Sequence, residues 1–308
     1  MDSELPVLIM AFIRPDLLRK SLEQLAKASP PILYVVGDGP RNEKEEILCS
    51  KSREIAMKPG WDCEVIPLFS DENKGLVPSF LCGMNRMFKD HEYGIFLEDD
   101  ILLSPSFYPF AKELLVKYRD NPEIGHINAS NFLPKFSWKD SQDSYLFSNQ
   151  PHIWGFATWR RMWNSYDVNM PAWKTADQKK LLDEHCFYKR EKSSLKHLFD
   201  LHCENPDPWA CDYQWIFNCW YNKTLSITPK KNMSLNIGFD RTDSTHTTGG
   251  NPLATPIHSC DFPLNHPSKV SRNIAYDRAL SNRICPSELS KLIGKFKNKI
   301  IKLISGKF

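Results

Sequence analysis

Before residue 122 the chain repeats one pattern four times: a short, nearly continuous apolar run, then a stretch with helical spacing. The runs are PVLIMAFI (6–13), ILYVVGDG (32–39), CEVIPLFS (63–70) and YGIFLEDD (93–100). After the first comes DLLRKSLEQLAKA, with Leu17, Leu18, Leu22 and Leu25 on one face. A charged helical segment follows the second, VPSFLCGMNRMFKD the third, and SPSFYPFAKELLVKYRDN the fourth. An apolar run without alternation marks a strand covered on both faces. Strand–helix alternation builds a mostly parallel sheet flanked by helices. The expected fold class is therefore α/β and Rossmann-like, with its ligand crevice at the carboxyl ends of the strands.

Arg14, Asp38 and the triplet Glu98-Asp99-Asp100 all fall at such ends. Three adjacent carboxylates repel, and an acid buried alone is costly, so the triplet requires a positive partner. A hard divalent cation, Mn²⁺ or Mg²⁺, suits carboxylate oxygen and is commonly held by one or two carboxylates plus phosphates. The plainer reading is a solvated acidic turn. The chain has neither GxGxxG nor GxxxxGK[ST], so a diphosphate bound on this fold would need a metal to neutralise it.

Composition narrows the class. The 308 residues are 41% hydrophobic and 25% charged, which suits a globular chain with an ample core. No apolar run approaches the roughly 20 residues of a spanning helix. The opening MDSELPVLIMAF carries acids where a secretory signal carries bases, so a cytoplasmic location is expected. Nine scattered cysteines without a CxxC pair read as free thiols rather than a disulfide or zinc framework. The net charge of +3 divides unevenly: residues 287–308 carry six lysines and one glutamate, leaving about −2 for the rest. Nucleic acid is not an expected partner.

Beyond about residue 125 the pattern becomes irregular and aromatic, with Trp154, Trp159, Trp163, Trp173, Trp209, Trp215 and Trp220. The expected organisation is a donor-binding half (1–125), an acceptor-binding and catalytic half of the same domain (126–285), and a basic amphipathic helix (286–308). Residues 249–285 read as loop-rich.

Several segments, taken in order, resemble a GT-A nucleotide-sugar glycosyltransferase. They are PVLIMAFIRPD, VVGDG, ENKGLVPSF and LEDDILLSPSFYPF, the last similar to the acidic metal motif of N-acetylglucosaminyltransferase I. Downstream, HIWGFATWRRMW and WACDYQW resemble that family's acceptor-side and catalytic-base segments, and NMSLNIGF…DSTHTT resembles related bacterial sugar transferases. The resemblance implies a UDP-sugar donor and a metal, Mn²⁺ or Mg²⁺, on Asp100 and His246. It implies ribose or sugar contact by Asp99, support from Glu98, a uracil contact by Asp38 and a nucleotide contact by Arg14. Lys74, in DENKG, stands near the nucleotide or is a solvated loop lysine.

Asp212 is the expected general base, taking a proton from an acceptor hydroxyl in an inverting transfer. It also fits a helix N-cap before YQWIFNCW, a role compatible with catalysis. Tyr213 stands where the family motif has a second acid. Trp154, Gly155 and Phe156 are expected on the sugar side, since aromatic faces cover sugar C–H faces and glycine admits a close ligand. Trp159 and Trp163, four apart, read as helix core. The acceptor is expected to be a glycan or lipid-linked sugar.

Two rival readings stand beside this one. A sugar nucleotidyltransferase needs a glycine-rich loop after its first strand, and AFIRPDLLRK has none. A non-catalytic carbohydrate-binding or membrane-associated protein would lack metal-dependent nucleotide binding. In 287–308, Leu289, Leu292, Ile293, Phe296, Ile300, Leu303 and Ile304 line one helical stripe flanked by lysines. That pattern reads as a helix on a membrane surface, or one docked on the domain.

Overall fold

The computed structural model describes residues 4–138, 141–205, 210–239, 241 and 251–286. Chain order runs β1 (Val7–Ala11), α1 (Pro15–Leu25), β2 (Ile32–Gly37), α2 (Glu43–Ala56), β3 (Glu64–Phe69), α3 (Leu76–Asp90) and β4 (Tyr93–Glu98). It continues with β5 (Ile101–Leu103), α4 (Phe107–Lys117), β6 (Ile124–Asn128), β7 (Tyr145–Ser148) and β8 (Phe156–Trp159). Helices α5 (Arg160–Trp163), α6 (Pro171–Thr175), α7 (Gln178–His185), α8 (Lys189–Glu204) and α9 (Asp212–Tyr221) follow. Last come β9 (Leu225–Pro229), β10 (Ser234–Asn236) and α10 (Ile274–Ile284).

Eight strands form one sheet in the order β3-β2-β1-β4-β8-β6-β9-β7. Within it β1, β2, β3 and β4 pair in parallel, as do β6 and β9, while β7 and β8 run antiparallel to their neighbours. The fold is thus α/β with a mostly parallel sheet. The four apolar runs became β1 to β4 because each is fully or half buried between two layers. One face packs α1 and α4 side chains such as Leu18, Leu22, Phe110 and Leu114. The other packs Phe80, Met84 and Met87 of α3 with Trp163, Trp173, Trp215 and Trp220 from the aromatic half.

Three expectations need correction. Trp159 is not on a helix with Trp163: it ends β8, buried, its indole donating to the Leu115 carbonyl at 3.0 Å, and only Trp163 lies on α5. Residues 274–284 are a helix, α10, not loop; Asn273 caps it by accepting from the Tyr276 N–H at 2.9 Å. Asp212 is not an N-cap. Cys211 occupies that position, and Asp212 is the first helical residue, where a carboxylate complements the positive helix end.

Candidate functional site

The positive charge that the acid triplet requires comes from Arg14. Its guanidinium, at the end of β1, donates to Asp99 Oδ1 and, at 2.8 Å, to Asp100 Oδ2 at the end of β4. The two strands are parallel neighbours, so their carboxyl ends bring residues 14 and 98–100 together across 84 residues of sequence or more. Asp99 is 2% exposed and also accepts from the Phe12 N–H at 3.4 Å. The turn itself is pinned: Ser21 of α1 donates to the Asp99 carbonyl at 2.8 Å, and the Ile237 N–H donates to the Asp100 carbonyl at 2.9 Å.

A strap crosses this site. β10 pairs antiparallel with β5, which directs residues 236–239 back over the acids. Asn236 Nδ2 donates to Asp100 Oδ1 at 3.4 Å, and its Oδ1 accepts from the Gly238 N–H at 2.8 Å. A Cβ at Gly238 would lie 2.1 Å from Asp100 Oδ2 and 3.1 Å from Arg14 Nη1, so only glycine fits. Phe239 meets Trp154 edge-on, with centroids 5.7 Å apart. Arg241 pairs with Asp16 at the start of α1 at 2.7 Å. Sequence reasoning missed Asn236, Gly238 and Ser21 as site residues. The Asn-x-Gly of NIGF is the local signal that could have marked the first two.

Asp212 projects from the first turn of α9, half-buried, and acts electrostatically on Glu98 at the end of β4. Burial raises the Glu98 carboxyl well above its usual range; Asp100 and Asp212 raise it further, and Arg14 only partly opposes them. Burial also lifts Asp99 to about 6, against the pull of Arg14. Burial works against the Arg14 charge, yet Asp99 and Asp100 reverse this and raise its pKa. Arg14 thus binds Asp99 and Asp100 directly and acts on Glu98 as well.

This group of carboxyls is the observation that bears on a metal. The donor set is hard oxygen, which fits Mn²⁺ or Mg²⁺ at Asp100. Among the described residues no cluster of three metal-ligating side chains forms. A cation here would take Asp100 plus ligand phosphate and water, the usual arrangement for Mg²⁺. His246 lies outside the described residues.

Asp38 has four donors of its own. It accepts from the N–H groups of Gly39 (2.9 Å), Lys74 (2.8 Å) and Gly75 (2.8 Å), and from Asn73 Nδ2 (3.0 Å). These fill its lone-pair sites and clip loop 73–75, which leads into α3, to the end of β2. The Lys74 side chain is exposed on that loop.

The aromatic loop divides. Trp154 is half-buried beside the strap, with Phe132 edge-on at 5.1 Å. Phe156, expected on the sugar side, is instead a core residue: it is 1% exposed and stacks on His126 with centroids 4.8 Å apart. Gly155 is required by its backbone, with φ of 78°, and by Leu103 and Leu97 beneath it. The structure thus brings Arg14, Glu98, Asp99, Asp100 and Asp212 together, places Trp154 beside the strap over them, and sets Asp38 and Lys74 at the neighbouring strand end.

No family model matches the chain, and no curated protein matches it either. Among solved structures, S. aureus TarS is similar at 10% identity and a TM-score of 0.44, over 76% of this chain and 60% of that one. The 4-diphosphocytidyl-2C-methyl-D-erythritol synthase of Anaerococcus prevotii is similar at 12% identity and a TM-score of 0.34, over 65% and 85%. An apo UDP-glucose pyrophosphorylase is similar at 11% identity and a TM-score of 0.38, over 76% and 93%. The chain spans 60% of the TarS chain it resembles. These are distant likenesses, and nothing about this chain's activity follows from them.

Proposed function

We infer that the protein is a glycosyltransferase. It takes a sugar from a nucleotide-sugar donor, a UDP-sugar, and transfers it with inversion to a hydroxyl of a glycan or lipid-linked acceptor. One observation carries the reading: Asp212, on a separate helix, acts on Glu98 and shares the carboxyl edge of the sheet with the Arg14-bound pair Asp99 and Asp100. That arrangement separates two jobs, holding a donor and activating an acceptor.

Arg14 supports binding of the donor diphosphate, because its planar fork matches phosphate oxygens. Lys74, on the loop 73–75 that Asp38 holds, is the proposed contact on the nucleotide side. Trp154 offers an aromatic face to the sugar. Asp100 is the proposed holder of a divalent cation, Mn²⁺ or Mg²⁺, which when bound neutralises the diphosphate and favours its departure. Asp212 accepts the proton of the acceptor hydroxyl. The hydroxyl oxygen then bonds to the anomeric carbon, and the anomeric C–O bond breaks with its electron pair leaving on the diphosphate. Asp99 lies beneath this surface and acts through Arg14.

A nucleotidyltransferase reading is disfavoured by the connection after β1. Only Phe12, Ile13 and Arg14 separate β1 from α1, with no glycine to cradle phosphates through backbone N–H groups.

UDP binding measured by calorimetry with Mn²⁺ and with EDTA, on wild type and Asp100→Ala, tests the donor site. Binding that needs both Mn²⁺ and Asp100 is expected; no binding under any condition sinks the reading. Asp212→Asn is expected to keep UDP affinity and lose transfer by roughly 10²–10⁴-fold.

A further inference from the structure

Arg14 and a metal ion cannot hold the same face of Asp100. The guanidinium already sits 2.8 Å from Asp100 Oδ2 and donates to Asp99 as well. A Mg²⁺ or Mn²⁺ ion coordinates carboxylate oxygen at about 2.1 Å, which would set two positive centres within a few ångströms of each other. Asp100 Oδ1 faces Asn236, and Gly238 lies against Oδ2, so the carboxylate has little room to turn away.

Arg14 itself is able to leave. Its backbone is fixed, since its carbonyl accepts from the N–H groups of Leu17 and Leu18 in the first turn of α1. Its side chain is 21% exposed, whereas those of Asp99 and Asp100 are nearly covered. A long, partly exposed side chain on a fixed backbone can swing to a nearby anion. A diphosphate supplies oxygen acceptors for the same fork that now grips two carboxylates.

We propose that Arg14 is the site's resident counter-ion, exchanging Asp99 and Asp100 for the donor's diphosphate when a divalent cation takes Asp100. The inference rests on the donor-site reading above and adds the order of events within it. Metal alone binds poorly, because it must displace the guanidinium from Asp100 with no diphosphate to receive it. Metal and diphosphate together bind well, and by linkage each strengthens the other equally.

Mn²⁺ binding to the full chain, followed by water-proton relaxation with and without UDP, tests this on wild type and Arg14→Met. Without nucleotide, the variant should bind Mn²⁺ about tenfold tighter than wild type. UDP should raise Mn²⁺ affinity of wild type by a factor within the roughly 5–150-fold range of allosteric couplings, and that of the variant far less. If the variant binds Mn²⁺ no tighter while both proteins bind UDP, the counter-ion proposal fails and the donor site stands. If neither protein binds Mn²⁺ or UDP, both fail. A second readout needs no variant: the Arg14 guanidinium ¹⁵N resonances of wild type should move when Mg²⁺ and UDP are both added. Resonances that stay put in that ternary mixture overturn the proposal.

Discussion

The indole N–H of Trp215 donates to Nδ1 of His126 across 3.0 Å, deep in the core. Nδ1 is therefore the bare nitrogen, and Nε2 carries the proton toward Asn128 Oδ1 (2.8 Å) and the His152 carbonyl (3.0 Å). Phe156 stacks on the same ring. One imidazole thus ties α9, which begins with Asp212, to β6 and to the start of β8. Trp215→Phe would keep the aromatic volume and leave Nδ1 without its donor. Such a buried orphan costs about 1–3 kcal/mol. The urea midpoint should fall accordingly, with an unchanged denaturant slope.

Acid should unfold the protein partly through buried histidines. Burial pushes His126, His152 and His185 each down to about 3, from an ordinary value near 6.5. A depressed folded value means the unfolded chain binds the proton first. Their contribution to stability is full above about pH 6.5 and declines as the pH falls toward 3, by up to about 1.4 kcal/mol per pH unit for each group. Asp99, raised to about 6, works in the opposite sense between about pH 6 and 4. NMR titration should find all three imidazoles neutral at pH 5 in the folded protein. An imidazolium signal from any of them at that pH would contradict the burial argument.

Gly238→Ala should damage the site without damaging the fold. Its methyl group would arrive 2.1 Å from Asp100 Oδ2, so the strap or the Arg14–Asp100 pair must shift. Core residues are untouched. We expect UDP–Mn²⁺ affinity to fall by about tenfold or more, as a lost charge-assisted contact implies. The melting temperature should stay close to that of wild type, and calorimetry with a thermal scan reads both.

Asp38 has a structural task that can be separated from ligand contact. Asp38→Ala removes the acceptor of three backbone N–H groups and one amide, at the entrance to α3. A loss of about 2–3 kcal/mol is expected, in line with charged hydrogen bonds. Thermal and urea unfolding measure it. Hydrogen exchange at residues 73–76 should accelerate in the same variant, which a purely ligand-contacting role would not produce.

The basic segment 287–308 lies outside the described residues, so its prediction rests on sequence alone. Six lysines beside an apolar stripe should bind vesicles containing anionic phospholipid, each lysine adding about 1 kcal/mol at low salt. The full chain should co-sediment with such vesicles and a chain lacking 287–308 should not. Equal partitioning of the two would remove a membrane surface from the proposed partners. Among the described residues no helix is long and apolar enough to cross a membrane.

The first 120 residues were legible because strand and helix periodicity is local. PVLIMAFI and YGIFLEDD announce covered strands wherever they pack, and a parallel sheet then places their carboxyl ends together. Arg14, Asp38 and the acid triplet could be assigned to one edge for that reason alone. The tertiary structure decided what each does there. Adjacent sequence cannot say that Arg14 would reach both Asp99 and Asp100, because the contact depends on β1 lying beside β4. Nor can it say that Asp38 faces four donors from Gly39 and a loop 35 to 37 residues away. Phe156 looked like its neighbour Trp154, yet Phe156 opens β8 and enters the core, while Trp154 lies before the left-handed Gly155 and stays beside the strap. Asn236 and Gly238 carry a local Asn-x-Gly signal, but the short antiparallel pairing of β10 with β5 is what sets them over the acids. Composition and periodicity fix which elements form; long-range register, set by which faces can be buried together, fixes which side chains meet.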